Sequence, residues 1–234
     1  MTEAPDELWV VRLGRLPYRE AVALQEEIRA GCQADAVPDV LLLLEHDPVY
    51  TKGRRTESSD LPMGEQWYMS QGIDVADSDR GGRVTYHGPG QLVGYPIMRV
   101  HDVYGYVHGL ESAMIDALAD EGIEAETREG LTGVWAGERK IGAIGVRVSR
   151  GVTTHGFAVN VENDLQPFEW VVACGGDGAL PTSVYKETHR TGTMPCFSKR
   201  VAWRVAATFG LRQRLVSRER LAAALKGEPA AVPA

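Results

Sequence analysis

The residue pattern predicts an α+β fold, a mixed β-sheet flanked by helices. Two observations carry this. Strand-like segments cluster between Ile73 and Val161, whereas helical periods occur singly or near the C-terminus. No internal repeat and no interdomain linker divides the 234 residues, so 1–226 reads as a single domain and 227–234 as a disordered tail.

Taken in order, Leu8 to Leu13 reads as a first strand. Pro17 opens a helix in the favoured first-turn position, with Ala21, Leu24 and Ile28 on one face and Gly31 as its stop. Asp39 to Glu45 reads as a buried strand, and His46-Asp47-Pro48 turns the chain into Val49-Tyr50-Thr51. Charged residues break any period over 53–70, which predicts a mobile loop. From Ile73 to Val100 strands alternate with glycine turns. Tyr106 to Glu121 is the clearest helix, with Val107, Leu110, Met114 and Leu118 on one side and Gly122 as its stop. Glu124 to Val161 is β-rich, with a hairpin turn at Ala136-Gly137-Glu138-Arg139. Val201 to Phe209 and Arg218 to Leu225 read as helices, the second capped by Ser217.

Composition excludes several classes. Hydrophobic residues at 44% and charged residues at 24% are ordinary for a globular protein. The N-terminus is acidic and lacks a following apolar stretch, unlike a secretory signal. The longest aliphatic run, Val40 to Leu44, is far short of the ~20 residues of a membrane helix. A soluble cytoplasmic protein with no membrane partner is expected. The net charge of -7 argues against a nucleic-acid partner, which needs a cationic footprint. Arg54, Arg55, Arg80, Arg83, Arg139, Lys140, Arg147 and Arg150 nevertheless fall near the motif segments described below. They are either a basic rim for an acidic partner or a scatter of solvated cations.

The cysteines are Cys32, Cys174 and Cys196, and their odd number and wide spacing fit neither a disulfide framework nor a zinc ribbon. The histidines show no close pair on a helix, so no metal site is expected. Only Cys174 has glycine neighbours that would leave its sulfur accessible. Lys140 opens Lys-Ile-Gly-Ala-Ile-Gly, a small-residue stretch with no other charge. A thiol with a free pKa near ~8.5 is mostly protonated at neutral pH, and a nearby ammonium favours the thiolate. A thiolate attacks carbonyl carbon readily and then leaves readily, so this pair points to acyl transfer through a thioester. In isolation, Lys140 would read as a surface lysine after a turn; the apolar strand that follows it shifts the reading.

Arg80 to Gln91 is too glycine-rich for a strand interior throughout. Gly81-Gly82 lets backbone pass close to a ligand, Thr85, Tyr86 and His87 add polar tips, and Gly88-Pro89-Gly90 forces a turn. A β-hairpin with no further role is the competing interpretation. His155 opens another buried strand and reads equally as a core histidine, a ligand or a catalytic group.

At these residues the chain resembles the lipoyl(octanoyl) transferase family, related in fold to lipoate and biotin protein ligases. The resemblance rests on Leu44 to Arg54, Arg80 to Pro96, Arg139 to Arg147, His155 to Val161 and Cys174-Gly175. The Arg-Gly-Gly-x-x-Thr-Tyr-His-Gly-Pro-Gly-Gln stretch is its most specific part. One departure is that Ala173 stands where the family often has proline. The resemblance implies a ligase-like catalytic domain with Cys174 and Lys140 as a catalytic dyad. It implies substrate-binding residues at Arg80, Gly81, Gly82, Arg83, Val84, Thr85, Tyr86 and His87, at Ala143, Ile144 and Gly145, and at Gly156, Phe157 and Ala158. It implies transfer of an octanoyl group from octanoyl-acyl carrier protein to a lysine of apo lipoyl domains, the first step of endogenous protein lipoylation. The acceptors would be 2-oxoacid dehydrogenase E2 subunits and the glycine cleavage H protein. The acyl group arrives on a phosphopantetheine arm, so no cofactor and no ATP is expected. An ATP-dependent ligase and a non-enzymatic acyl-binding module are the rival readings; Cys174 argues against the ligase, and cysteine alkylation would separate an enzyme from the module.

Overall fold

The computed structural model describes residues 7–172 and 180–228. Its first half runs β1 (Glu7–Arg15), α1 (Tyr18–Gln33), β2 (Asp39–Glu45), β3 (Val49–Lys52), a 3-10 turn (Ser58–Asp60), α2 (Glu65–Ser70), β4 (Asp74–Asp77), β5 (Val84–His87) and β6 (Gln91–Ile97). The second half runs α3 (Val103–Ala119), β7 (Glu126–Arg128), β8 (Leu131–Ala136), β9 (Arg139–Ser149), β10 (Val152–Asn160), a 3-10 turn (Gln166–Trp170), α4 (Val184–Thr188), α5 (Met194–Thr208), β11 (Arg212–Leu215) and α6 (Arg218–Leu225).

The larger sheet has the order β11-β1-β2-β6-β10-β9-β8-β7, and a smaller one has the order β4-β3-β5. β1 is parallel to β2 and β11, and the pairs from β2 across to β7 are antiparallel, so the sheet is mixed as the sequence predicts. β2 reads as an unbroken apolar run because both its faces are covered. Leu41 and Leu43 meet the α3 and α5 side with Leu110, Met114, Leu118, Val201 and Val205. Val40, Leu42 and Leu44 meet the α1 and α6 side with Ala21, Ile28 and Leu221. Among the described residues no helix is long and apolar enough to cross a membrane.

The structure departs from the sequence reading at several boundaries. Pro17 is the N-cap of α1 rather than part of its first turn, and the helix runs past Gly31 to Gln33. Gly31 sits inside because α6 packs there; a Cβ on it would lie 2.6 Å from Leu225 Cδ2. Residues 53–70 are not a continuous loop. They hold the 3-10 turn and α2, whose Tyr68 is buried and donates to Trp170 O. Helix α3 begins at Val103 because Asp102 caps it, its carboxylate accepting from Tyr104 N. Helix α5 begins at Met194, with Pro195 in its first turn, well before Val201. Of the expected tail, residues 229–234 lie outside the described residues.

Candidate functional site

Strand β9 makes the site possible by changing partners along its length. It pairs with β10 from Gly142 to Ser149, but with β8 only as far as Gly142. Beyond Gly142 its outer edge faces a cleft of about 720 Å³ between the two sheets. The loop before β5 lies against that edge, with Gly81 N donating to Val146 O at 3.0 Å. Close backbone approach explains the glycines. A Cβ on Gly145 would sit 3.1 Å from Gly81 O, and one on Gly156 would sit 2.2 Å from Gly94 O.

The structure brings together most of the residues named from sequence. Arg80, Gly82, Arg83, Val84, Thr85 and His87 form one wall. Ala143, Ile144 and Gly145 of β9, with Gly156, Phe157 and Ala158 of β10, form the other. Gly81 and Tyr86 are not on the cleft wall. Gly81 is occupied with β9, and Tyr86 alternates to the far side of β5, where its ring packs on Tyr50 and Phe168. Arg80 is buried and acts as a bracket: its Nη2 donates to Thr51 O and to Arg83 O, both at 2.7 Å. Arg83 turns to Asp60, its Nε donating at 3.0 Å, and also pairs with Glu57.

Lys140 lines the same cleft. Its Nζ lies 4.8 Å from the ring centre of Trp135, a fully buried indole that supplies a cation–π contact. Gly133 opens the path for this side chain. It has φ +137, and a Cβ there would lie 2.9 Å from Lys140 Cε. The lysine backbone is tied to a later segment: Lys140 N donates to Leu180 O and Thr182 N donates to Lys140 O, both at 2.9 Å. On the other flank Val172 N donates to Asp60 O at 3.0 Å. Cys174, the expected nucleophile, lies outside the described residues, as does Gly175. Of the other thiols, Cys32 is buried and pushed up to about 12 by burial, and Cys196 is exposed.

Sequence reasoning missed the groups beneath the cleft. Tyr18, His46 and Tyr95 join His87 and His155 in a cluster of rings. His46 Nδ1 lies 2.7 Å from Leu16 O, and a carbonyl only accepts, so this nitrogen carries the proton. His46 Nε2 is therefore the acceptor for the Tyr95 hydroxyl at 2.7 Å. Burial lowers His46 to about 4. Burial, with help from His46, lowers His87 to about 3. His155 is also lowered, by burial offset in part by its hydrogen bond to Asp79. The three histidines at the floor of the cleft are thus uncharged at neutral pH. No signal in the sequence joins Tyr18 or Tyr95 to these histidines; His46 falls within a motif stretch but carries no mark of its role. Among the described residues no group of His, Cys, Asp and Glu is arranged to hold a metal ion.

The comparisons with known proteins agree with this architecture. Residues 17–202 match the family model described as the lipoyl protein ligase A/B catalytic domain. An octanoyltransferase of Solibacter usitatus is 51% identical over 168 residues, covering 70% of this chain and 76% of the relative. One of Mycolicibacterium smegmatis is 46% identical over 202 residues, covering 82% and 85%. A lipoate-protein ligase A crystallised with ATP shares the fold with TM-score 0.76 at 17% identity, covering 96% of this chain and 94% of that one. A biotin protein ligase of Aquifex aeolicus is a more distant structural neighbour, with TM-score 0.51 at 13% identity, covering 86% and 69%.

The buried rings generate a pH prediction. His46 and His87 are neutral in the fold, whereas in the unfolded chain each takes up a proton near its ordinary value of 6.5. Their folded values are depressed, so their contribution is complete above pH 6.5 and is lost as pH falls towards 4 and then 3. Each ring adds a slope of up to about 1.4 kcal/mol per pH unit in that window. Urea unfolding from pH 7 to 4.5 should show stability falling, and His87→Gln should flatten the slope. An unchanged slope in His87→Gln would contradict the assignment.

Proposed function

Because the chain belongs to the lipoyl protein ligase A/B catalytic-domain family and is an octanoyltransferase of protein lipoylation, we propose that it works through an acyl-enzyme on Cys174 with Lys140 as the proton-carrying partner. The observation that supports this best is the backbone pairing of Lys140 with residues 180–182, the segment that follows Cys174 in the chain. It ties the cleft's lysine to the segment next to the expected nucleophile.

The proposed donor is octanoyl-acyl carrier protein. The octanoyl chain lies along the small-residue wall of Ala143, Gly145, Gly156 and Ala158, where burial contributes about 0.8 kcal/mol per methylene. The Cys174 thiolate, held beside the Lys140 ammonium, adds to the thioester carbonyl. The carbon–sulfur bond to phosphopantetheine breaks, and Lys140 gives its proton to the departing thiolate. An octanoyl-Cys174 thioester and a neutral lysine remain. The neutral amine of a lysine on an apo lipoyl domain then adds to this thioester. Its surplus proton passes to Lys140, and Cys174 leaves as the thiolate, which restores the ion pair. A thioester becomes an amide, a downhill exchange that uses no ATP, metal or other cofactor. E2 subunits of 2-oxoacid dehydrogenases and the glycine cleavage H protein are the proposed acceptors, and 1–226 is the proposed catalytic unit.

Intact mass after mixing the protein with octanoyl-acyl carrier protein tests the scheme. One octanoyl group should be gained, and peptide mapping should place it on Cys174 and not on Cys32 or Cys196. Acylation of either other cysteine would overturn the assignment.

The docking surface narrows from the sequence expectation. Arg54 and Arg55 are exposed at the cleft, and among the described residues neither forms an ion pair. Their loop is stitched to the motif by Arg54 N to Arg80 O and Arg55 N to Gly82 O, both at 3.0 Å. Arg83 is already neutralised by Asp60 and Glu57, and Arg150 sits apart at the β9–β10 turn. Arg54 and Arg55 are therefore the proposed contacts for an acidic donor protein, against a net charge of -7 that would otherwise slow encounter. Reversing both to glutamate should raise KM for the protein donor several-fold and leave a small octanoyl thioester unaffected. Salt should weaken the wild-type donor interaction through screening over about 8 Å at physiological ionic strength. Equal salt sensitivity for both donors would reject electrostatic docking.

A further inference from the structure

Asn160 ends β10 directly opposite Gln91 of β6. Its buried side chain joins three parts of the cleft. Asn160 Nδ2 donates to Thr182 O at 2.9 Å. Because a carbonyl only accepts, this contact fixes which way the amide points. Asn160 Oδ1 then accepts from Gln91 Nε2 at 2.9 Å and from Asn163 Nδ2 at 3.2 Å. Gln91 is oriented in turn: its Nε2 also donates to Tyr86 O, so its Oε1 accepts from His87 Nδ1 at 2.7 Å. His87 Nε2 is left without a proton and without a partner among the described residues, on a side chain that lines the cleft. On the far side, Thr182 is the residue whose N–H bonds the Lys140 carbonyl, next to Pro181, which bridges Lys140.

We infer that Asn160 is a positioning residue for transfer: it holds segment 180–182 in register with Lys140 and, through Gln91, fixes the tautomer that His87 presents to the cleft. The inference rests on the reading of Lys140 as the partner of Cys174. Without Asn160, Thr182 O loses its donor, so the segment that pairs with the lysine backbone on both sides can shift against β9. Gln91 loses the shorter of the two contacts that set its amide orientation and keeps only Tyr86 O. One side chain thereby governs the placement of a cation and of an acceptor that approach the reacting thioester from different walls.

The test measures thiol reactivity against pH with iodoacetamide in four proteins: wild type, Asn160→Ala, Lys140→Met and the double variant. Octanoyl transfer and thermal unfolding are followed beside it. Asn160→Ala should keep cooperative unfolding and lose about tenfold in kcat, the scale of one misaligned buried hydrogen bond. Its alkylation profile should move towards that of Lys140→Met, and in the Lys140→Met background it should have no further effect. Equal shifts in both backgrounds, or no shift with Lys140 present, would overturn the inference. A Lys140→Met profile identical to wild type would instead overturn the dyad reading on which it rests. Should Asn160→Ala fail to fold, Asn160→Ser, which keeps a small hydroxyl at the site, carries the same comparison, and a profile unchanged from wild type in it would count against the inference.

Discussion

A strand that changes partners halfway along its length is the constraint on which this site depends. As far as Gly142, β9 pairs with β8, and at Lys140 also bridges Pro181; from Gly142 onward it pairs with β10, and its other edge belongs to the cleft. Lys140 lies on the paired part, so its backbone is fixed while its side chain reaches outward past Gly133. Ala143 to Gly145 lie on the released part, where backbone itself can form a wall. Rigid placement of the cation and a backbone wall for the cleft come from adjacent residues of one element. This is why Gly133, Gly145 and Gly156 matter together: each removes a Cβ that would close a path or separate two strands.

Electrostatics follow from the same packing. Lys140 rests on the face of Trp135, a contact that holds its ammonium group without pairing it to a carboxylate. A carboxylate partner would hold the proton on the lysine and so oppose its donation to a leaving thiolate. Arg80 and Arg83, the other motif cations, are committed differently, Arg80 to carbonyls that brace the loop and Arg83 to Asp60 and Glu57. The histidines below stay neutral because they are buried, and their tautomers are set by neighbouring carbonyl and amide oxygens. The cleft therefore combines the Lys140 ammonium with neutral histidines beneath it.

Much of this was legible in the residues. The Arg80–Gln91 stretch announced itself because glycines, polar tips and a forced turn rarely coincide in a packed strand. Gly145 and Gly156 enter through the family resemblance as substrate-binding residues, and the structure puts both on the cleft wall at points of close backbone approach. What was not legible depended on contacts distant in sequence. Tyr86 sits among cleft residues in the motif, yet alternation along β5 turns it to Tyr50 and Phe168. The bracket role of Arg80 needs Thr51, and the short elements within 53–70 need Tyr68 to reach Trp170. Such partners leave no periodic trace. The cation–π support of Lys140 by Trp135 was also hidden, because a hairpin pattern fixes the turn but not which side chains meet across it.

The central claim is that one lysine serves both halves of the reaction, as the ammonium beside a thiolate and then as the base for an incoming amine. Lys140→Arg separates these roles, since guanidinium keeps its charge and does not give up its proton at neutral pH. The deciding measurement is single-turnover mass spectrometry of Lys140→Arg, first with the acyl donor and then with an apo lipoyl domain. The account predicts that octanoyl-enzyme still forms, because a thiolate can leave unprotonated when the substituted arginine gives it no proton. The acyl-enzyme then persists, with transfer to the acceptor slowed far more than acylation, because the attacking amine must lose a proton. Transfer at the wild-type rate, or equal slowing of both half-reactions, would contradict it.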